Sequence, residues 1–262
     1  ANCIFDEGAS LSARVMVNRV WLQHFGRGLV TTPSDFGAQG ERPSHPGLLA
    51  DLAARFIEEG WSLKWLHREI VTSATYRQSV DHRSEMALRD PDNKWLWRMN
   101  RRRLEVEAWR DAMLEVTGQL VLEVGGAPLD LSRADNCRRT IYGRIDRRDL
   151  EPVLQMYDFP DPGSHSPVRE KTITPLQQLF VLNGEFFRRQ AEALTARLYR
   201  EAPESEGARI GLAHELLYGR PSTEEEIGLA RSFLELEGAS DRENWKRYAQ
   251  ALFGSNEFLF VD

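Results

Sequence analysis

Two carboxylates one helical turn apart, Glu107 and Asp111, are the residues of this sequence best spaced for chemistry. Residues four apart share one face of a helix, and Arg103 lies a further turn before Glu107. Carboxylates placed in this way can bind a metal ion or divide the roles of general acid and base. The spacing also fits a ladder of ion pairs, which we favour, with the neighbouring arginines Arg101, Arg102, Arg103 and Arg110.

Three predicted helices carry polar side chains on faces where the hydrophobic spacing requires apolar ones. They are Asn18 and Arg19 in the first helix, His67, Arg77 and Gln78 in the third, and Asn183 and Gln190 in a later one. Burying such a group without a partner costs roughly 1 to 3 kcal/mol, so each needs a hydrogen-bond partner. We favour a structural network that fixes long loops to the helices, and the alternative is a ligand pocket that these groups line.

The longest irregular stretch, residues 125–172, is a second candidate for a functional surface, because long ordered loops on a rigid scaffold commonly carry one. Within it, the segment YDFPDPGSHSP brings together Asp158, Asp161 and His165. These side chains fit an oxygen-rich loop site, although a turn stabilised by aspartate side chains is the interpretation we favour.

Arginines cluster at residues 98–103 and 138–148, beside aromatic residues that would suit stacking on single-stranded nucleic acid. Acidic residues interleave both clusters, so the sequence disfavours nucleic acid as a partner. The same arginines suit bidentate contacts to a carboxylate, a phosphate or a sulfate ester.

Signatures of the best-known catalytic classes are absent: the sequence has no GxSxG, no HExxH, no P-loop and no GxGxxG after a predicted strand. Its histidines are too widely scattered to be metal ligands, so we predict no metal site. Cys3 and Cys137 match no metal or redox spacing, and whether they pair is left open.

Hydrophobic spacing and helix caps predict a mainly α protein: a compact multi-helix domain with long ordered loops and at most a small β element near residues 139–146. Thr223 and Glu226 fit a capping box. The predicted helices cover residues 11–25, 46–59, 63–77, 103–117, 174–200, 207–218, 223–237 and 242–253. We predict one domain over residues 1–262, with possible lobes 1–124 and 173–262 joined by residues 125–172.

The overall composition excludes several classes of protein. The chain has 262 residues with 34 Lys and Arg against 40 Asp and Glu, a net charge of −6. A chain of this length buries about 70 to 75% of its unfolded surface, so a disordered protein is excluded. The acidic balance disfavours a protein that coats nucleic acid, and no run approaches the roughly 18 apolar residues of a membrane span.

Five segments of the chain resemble one family, and together they extend over nearly its whole length. The family is the planctomycete-type domain of unknown function, family fifteen fifty-three. The segments are NRVWLQHFGRGLVTTPSDFGAQGERPSHPGLL (18–49), GWSLKWLHREIVTSATYRQS (60–79), WRMNRRRLEVEAWRDAML (97–114), YDFPDPGSHSPVREKTITPLQQLFVLNGEFF (157–187) and ALFGSNEFLFVD (251–262).

The resemblance implies a setting rather than an activity. Such domains typically lie at the C-terminal end of large exported proteins, behind a cytochrome c-like domain and a second domain of unknown function. We therefore expect a periplasmic or cell-surface location, other domains of the parent protein as partners, and haem only in the separate cytochrome-like domain, with no cofactor in this chain. The resemblance supplies no catalytic residues.

A set of polar residues that fall inside these segments is our candidate ligand-binding cluster. Its members are Asn18, Arg19, His67, Arg77, Gln78, Arg102, Glu107, Asp111, Asp161, Arg169 and Asn183. The leading hypothesis is an accessory domain of an exported multidomain protein that binds a partner domain or an anionic or carbohydrate ligand, with no chemistry assigned. The alternative is a hydrolase or redox-associated enzyme acting on polysaccharide, with Glu107, Asp111 or His67 as acid and base.

Overall fold

A computed structural model describes residues 2–235 and 240–261 of the chain. It is mainly helical, which confirms the predicted fold class. The chain separates into two units, one reaching to Arg102 and the other covering Arg103–Val261. The predicted lobes were 1–124 and 173–262, whereas here residues 103–124 and the irregular stretch 125–172 both belong to the second unit. The side chain of Cys3 lies outside the description, and Cys137 carries a free, half-buried thiol.

The first unit is built on two long helices that pack along each other, α2 (Ala9–Phe25) and α3 (Pro46–Glu58). Its core is apolar, with Trp21 and Phe25 of α2 facing Phe56 of α3. Gly26 ends α2 in the left-handed conformation, with φ at 75°, which a glycine adopts without a steric penalty. The helices are α1 (Asn2–Phe5), α2 (Ala9–Phe25), α3 (Pro46–Glu58), α4 (Leu63–Thr72) and α5 (Ser84–Arg89).

Helix α4 is shorter than the predicted helix over residues 63–77. The chain turns extended at Ser73, whose hydroxyl donates to the carbonyl of Ile70 at 2.7 Å and accepts from the amide of Tyr76 at 3.2 Å. Serine competes with a helix for backbone groups in this way. Arg77 and Gln78 therefore lie beyond the helix, so the prediction that they project from its buried face is wrong.

The second unit holds the larger core, centred on Trp109, Leu194 and Trp245. The capping box of Thr223 and Glu226 is confirmed at the start of α11. The elements are β1 (Arg102–Arg103), which begins at the division and pairs with β2, α6 (Val106–Val116), α7 (Pro152–Met156), α8 (Pro175–Asn183), α9 (Glu185–Glu201), α10 (Glu206–Tyr218), α11 (Glu224–Leu234), α12 (Asp241–Phe253), α13 (Asn256–Leu259) and β2 (Phe260–Val261).

The helix predicted over residues 174–200 is in fact two helices, because the chain becomes extended at Gly184 with ψ at 134°. A Cβ added there would lie 2.7 Å from the carbonyl oxygen of Phe180 and 2.8 Å from the ring of Phe187, so glycine is required. The two helices therefore do not share one continuous apolar face. More than half of each of three leucine side chains of α8 is exposed, namely Leu176, Leu179 and Leu182.

Residues 139–146 form no strand, and the small β element predicted near them is present as no more than one isolated bridge. They contain a 3-10 turn at Thr140–Tyr142 and a parallel bridge between Gly143 and Leu129. The backbone just before the turn forms a second parallel bridge, between Arg138 and Val121, and it also bonds to side chains of α6. Arg110 donates to the carbonyls of Asn136 and Arg138, and Asp111 accepts from the amide of Thr140.

None of the helices in the described ranges combines the length and apolar character that a bilayer span requires.

Candidate functional site

The sequence-predicted cluster divides between the two units, and each part is described by itself. Asn18, Arg19, His67, Arg77, Gln78 and Arg102 lie in the first unit, and Glu107, Asp111, Asp161, Arg169 and Asn183 lie in the second.

Asn18 is fully buried and bonds to the backbone of one residue, Val30. Its side-chain amide nitrogen donates to the Val30 carbonyl at 3.0 Å, and its oxygen accepts from the Val30 amide at 2.8 Å. An added Cβ at Gly28 would come within 2.9 Å of that oxygen, so the loop can approach Asn18 only with glycine there. Asn18 thus fixes the loop after α2 to the helix, as the network interpretation predicts. Arg19, beside it, is exposed.

His24 and His67 form a pair of imidazoles, with 2.7 Å between Nε2 of His24 and Nδ1 of His67. Such a bond needs one protonated and one unprotonated nitrogen. Arg102 donates to the carbonyl oxygen of His24. Burial, followed by the positive charges of His67 and Arg102, lowers the pKa of His24. His67 itself is exposed, so the prediction that it points inward is wrong.

The lowered pKa makes the stability of the first unit depend on pH. Unfolded His24 titrates near 6.5 and folded His24 at lower pH, so the unfolded state binds more protons in between and stability falls as pH drops through this window. We expect the loss of unfolding free energy between about pH 7.5 and 5.5 to be smaller in His24→Gln than in the wild type. Urea titrations at both pH values measure this. An equal pH dependence of the two proteins would contradict it, and His82→Gln, at an exposed position, is the control.

Two other predicted residues of the first unit are Gln78 and Arg77. The Gln78 amide donates to the carbonyls of Thr75 at 3.1 Å and Leu96 at 2.8 Å, which ties together two irregular segments. Arg77 is exposed. Within the described residues no group of three or more His, Cys, Asp and Glu side chains is placed to hold a metal ion.

In the second unit, Glu107 forms a two-pronged ion pair with Arg169. The guanidinium nitrogens lie 2.7 and 2.8 Å from the two carboxylate oxygens, and a third contact, at 3.2 Å, reaches Glu105. The guanidinium also stacks on Phe159, 5.0 Å from the ring centre, and only 16% of the Arg169 side chain is exposed. Burial would raise the pKa of Glu107, but the hydrogen bonds from Arg169 and the backbone, together with the Arg169 charge, bring it below its usual value.

Asp158 and Arg103 hold the C-terminal end of the segment that carries Arg169. Asp158 accepts from the amide and the hydroxyl of Thr172 at 2.8 and 2.7 Å, and Arg103 donates to the Thr172 carbonyl and, at 3.0 Å, to Gln177. Within the segment, Asp161 accepts from the amide of Gly163 at 2.8 Å, which confirms the predicted aspartate-stabilised turn.

Asn183 was predicted to face inward, and this is wrong. It is exposed at the end of α8 and donates to the carbonyl of Leu179 at 3.0 Å.

Asp111 holds the 3-10 turn. Its Oδ1 accepts from the amide and hydroxyl of Thr140 at 2.7 and 2.6 Å, and Arg139 lies 3.5 Å from its Oδ2. The ion-pair partners of Glu107 and Asp111 thus come from the irregular stretch. The predicted ladder is wrong for Arg103 and Arg110, which donate to backbone carbonyls, to Gln177 and to Thr140.

A cavity of about 420 Å³ lies on this side of α6. Its charged lining is Glu105, Glu107, Asp111 and Arg139, and its apolar lining includes Ile141, Ile145, Leu154 and Phe159. The sequence indicated the two helical carboxylates and the arginine cluster that contains Arg139. Glu105 was missed because it lies within the predicted helix 103–117 but off the face that Glu107 and Asp111 share, and Phe159 was missed because it lies in the irregular stretch.

Comparisons with known proteins give one match. A family model described as PSD1, protein of unknown function (DUF1553), matches residues 1–234. No curated protein and no solved structure matches the chain.

Proposed function

The chain belongs to the PSD1 family of proteins of unknown function, and we propose its function from the chain's own candidate site. We propose that it is a binding domain whose second unit binds a neutral carbohydrate in the cavity of about 420 Å³ beside α6, called the α6 cavity below. One observation carries the proposal. The cavity combines carboxylate acceptors, a guanidinium donor and an apolar wall in a single concave surface.

The chemistry of this lining matches that of a sugar ring. Neighbouring hydroxyl groups donate to carboxylate oxygens and accept from a guanidinium, and the C–H face of the ring packs on apolar side chains. A carboxylate oxygen can accept two hydrogen bonds. Thr140 occupies both positions on Oδ1 of Asp111, but Oδ2 of Asp111 and the two oxygens of Glu107, each of which accepts one bond from Arg169, can accept more. Ile141 is 69% exposed, so a ligand would cover apolar surface that water now contacts.

The local charge favours a neutral ligand over an anionic one. The cavity is lined by three carboxylates, those of Glu105, Glu107 and Asp111, and one guanidinium, that of Arg139. Arg169 pairs with Glu105 and Glu107, so these five groups carry one more negative than positive charge. An anion would add repulsion that partial burial strengthens. Of the two ligand classes expected from the sequence, this supports carbohydrate.

No catalytic step is part of the proposal. The Glu107 carboxyl, with its lowered pKa, is ionised near neutral pH and has no proton to donate as a general acid. Asp111 is bonded to Thr140, and His67 belongs to the first unit. Export, association with a cytochrome c-like domain and binding to other parent domains stay expectations that rest on the family resemblance.

The proposal is tested by titrating the whole chain with short neutral oligosaccharides of glucan, xylan, mannan and chitin, using calorimetry. We expect at least one class to bind, and Arg139→Ala and Ile141→Ala each to weaken it about tenfold, a change of about 1.4 kcal/mol. Both side chains are half or more exposed, so these changes spare the core.

Matched controls lie outside the cavity. Ile173, which is 70% exposed, pairs with Ile141, and the exposed Arg147 pairs with Arg139. We expect Ile173→Ala and Arg147→Ala to bind like the wild type. If no oligosaccharide binds, or if the cavity variants bind as tightly as their controls, the proposed function is wrong.

A further inference from the structure

Trp95 of the first unit is a tryptophan that the fold leaves facing water. The structure describes all seven tryptophans of the chain, and this one alone is exposed, at 62%, while the others are buried or half-buried. Tryptophan has a large apolar surface and is enriched at the centres of binding sites. Single exposed apolar side chains are common, so what matters is how the fold presents this one.

The turn that carries Trp95 has a strained backbone. On either side of it, Asn93 and Leu96 have φ of 49° and 53°, in the left-handed region. Asparagine enters this region readily, whereas a leucine there is an outlier that costs free energy. Such strain recurs at sites that bind a ligand, where the surrounding structure holds a side chain in the binding orientation.

Hydrogen bonds hold this turn in its strained conformation. The carboxylate of Asp90 accepts from the amide of Lys94 at 2.9 Å and from that of Trp95 at 2.7 Å. On the far side, the Gln78 amide donates to the carbonyl of Leu96 at 2.8 Å. The indole of Trp95 is therefore presented to water from a fixed backbone, which lowers the conformational entropy that is lost when a ligand binds.

His45 and Lys94 place one acceptor and one donor beside the indole. The His45 imidazole stands edge to face with the indole, at 79° and 5.3 Å between centres, and the Lys94 ammonium lies 5.8 Å from the ring centre. The Ser44 hydroxyl donates to the Leu29 carbonyl at 3.3 Å, so in its 2.9 Å contact with Nδ1 of His45 it accepts. Nδ1 then carries the proton, and Nε2 keeps a lone pair that no described residue uses.

We propose that Trp95 is the platform of a second carbohydrate site, which lies in the first unit and binds one ring of a neutral oligosaccharide. The C–H face of a sugar ring carries a slight positive charge and packs on the negative face of an aromatic ring. One sugar hydroxyl donates to Nε2 of His45, and another accepts from the ammonium of Lys94. The site shares no residue with the α6 cavity, so it does not rest on the proposed function.

A single strand of nucleic acid fits these observations less well than a sugar. Proteins that bind single strands stack successive bases on several aromatic side chains along a basic groove. Trp97, the next aromatic residue along the chain, is 6% exposed, and the guanidiniums of Arg83 and Arg98 lie 5.7 and 5.1 Å from its ring centre. It offers no second platform, and Asp92 adds an exposed carboxylate that would repel phosphates.

The test titrates cellotetraose, xylotetraose and mannotetraose into the ¹⁵N-labelled whole chain and follows its seven indole N–H signals. The Trp95 signal is the one that Trp95→Phe lacks. We expect at least one sugar to shift this signal saturably, and with the same midpoint in Ile141→Ala, in which the α6 cavity is impaired. By calorimetry in the Ile141→Ala background, Trp95→Ala should weaken binding about tenfold or more, and His45→Phe, which keeps a ring but no lone pair, about fivefold.

Leu88→Ala is the matched control, since Leu88 is 87% exposed on α5 of the same unit, and it should bind like the wild type. The proposal is overturned if no sugar shifts the Trp95 signal, if Trp95→Ala binds as tightly as Leu88→Ala, or if octathymidylate shifts that signal and the sugars do not. Loss of the shift in Ile141→Ala would also overturn it, because the response would then come from the α6 cavity. A Trp95 response together with unchanged binding in Arg139→Ala and Ile141→Ala would contradict the α6 cavity alone, so either proposal can fail without the other.

Discussion

Replacing Asn18 with alanine is expected to lower the free energy of unfolding of the first unit by about 2 to 5 kcal/mol. The alanine methyl group makes neither of the two hydrogen bonds to Val30. Because Val30 is only 1% exposed, its backbone groups cannot bond to water instead. Its amide and carbonyl would be left buried and unpaired, at about 1 to 3 kcal/mol each. Urea denaturation followed by tryptophan fluorescence measures the loss.

The neighbouring position supplies the control for this prediction. Arg19→Ala changes the same helix at an exposed site, and we expect it to alter stability by no more than about 0.5 kcal/mol. Asn18→Asp keeps the acceptor for the Val30 amide but removes the donor and buries a charge, so it should also destabilise. If Asn18→Ala were no worse than Arg19→Ala, Asn18 would not be what fixes the loop after α2.

Helices whose ends have local signals were predicted well. α3, α10 and α12 lie within two residues of their predicted ends, because Pro46, Ser205, Gly219 and Gly254 act on the backbone of their own turns. The break at Gly184 was not predicted. A glycine within a helical pattern costs only about 1 kcal/mol, and what selects the extended conformation is the close approach of Phe180 and Phe187 in the fold.

In the candidate sites, too, local patterns were predicted better than contacts between distant residues. Asn18 was identified because its neighbours on the helix define the buried face well. The inward orientation predicted for His67 was wrong, because it assumed that Leu63 lies on the buried face of α4. Leu63 is half exposed, and the buried face of α4 contains Leu66 and Ile70. Glu107 and Arg169 are 62 positions apart, and no spacing rule connects two side chains across an irregular segment. Both lie in the family-like segments, which marked them without pairing them.

Breaking the pair of Arg169 and Glu107 is expected to cost about 2 to 3 kcal/mol, because a two-pronged, largely buried contact between charges is stronger than an exposed one. Arg169→Met keeps an unbranched stem over Phe159 while removing the charge, and Glu107→Gln removes the opposite charge at constant shape. With the double variant these form a thermodynamic cycle. We expect a coupling energy of about 1 to 3 kcal/mol from urea denaturation.

Acid should weaken the same contact. The folded pKa of Glu107 lies below its unfolded value near 4.5, so its stabilising contribution is complete above that pH and is lost as pH falls through the folded pKa. The wild type should therefore lose more unfolding free energy than Glu107→Gln between about pH 5 and 3. A coupling energy near zero, together with identical acid profiles, would mean that the ion pair contributes nothing.

The pair also affects the carbohydrate site that we propose, because Glu107 lines that cavity and Arg169 neutralises the charge of Glu107. In Arg169→Met three carboxylates would face a single guanidinium, that of Arg139, and the excess negative charge would rise from one to two. Mutual repulsion would move Glu105 and Glu107 apart, so we expect sugar affinity to fall about tenfold or more. Calorimetry on Arg169→Met checks this against Arg147→Ala. Unchanged affinity with a large loss of stability would show that Arg169 supports the fold without shaping the site.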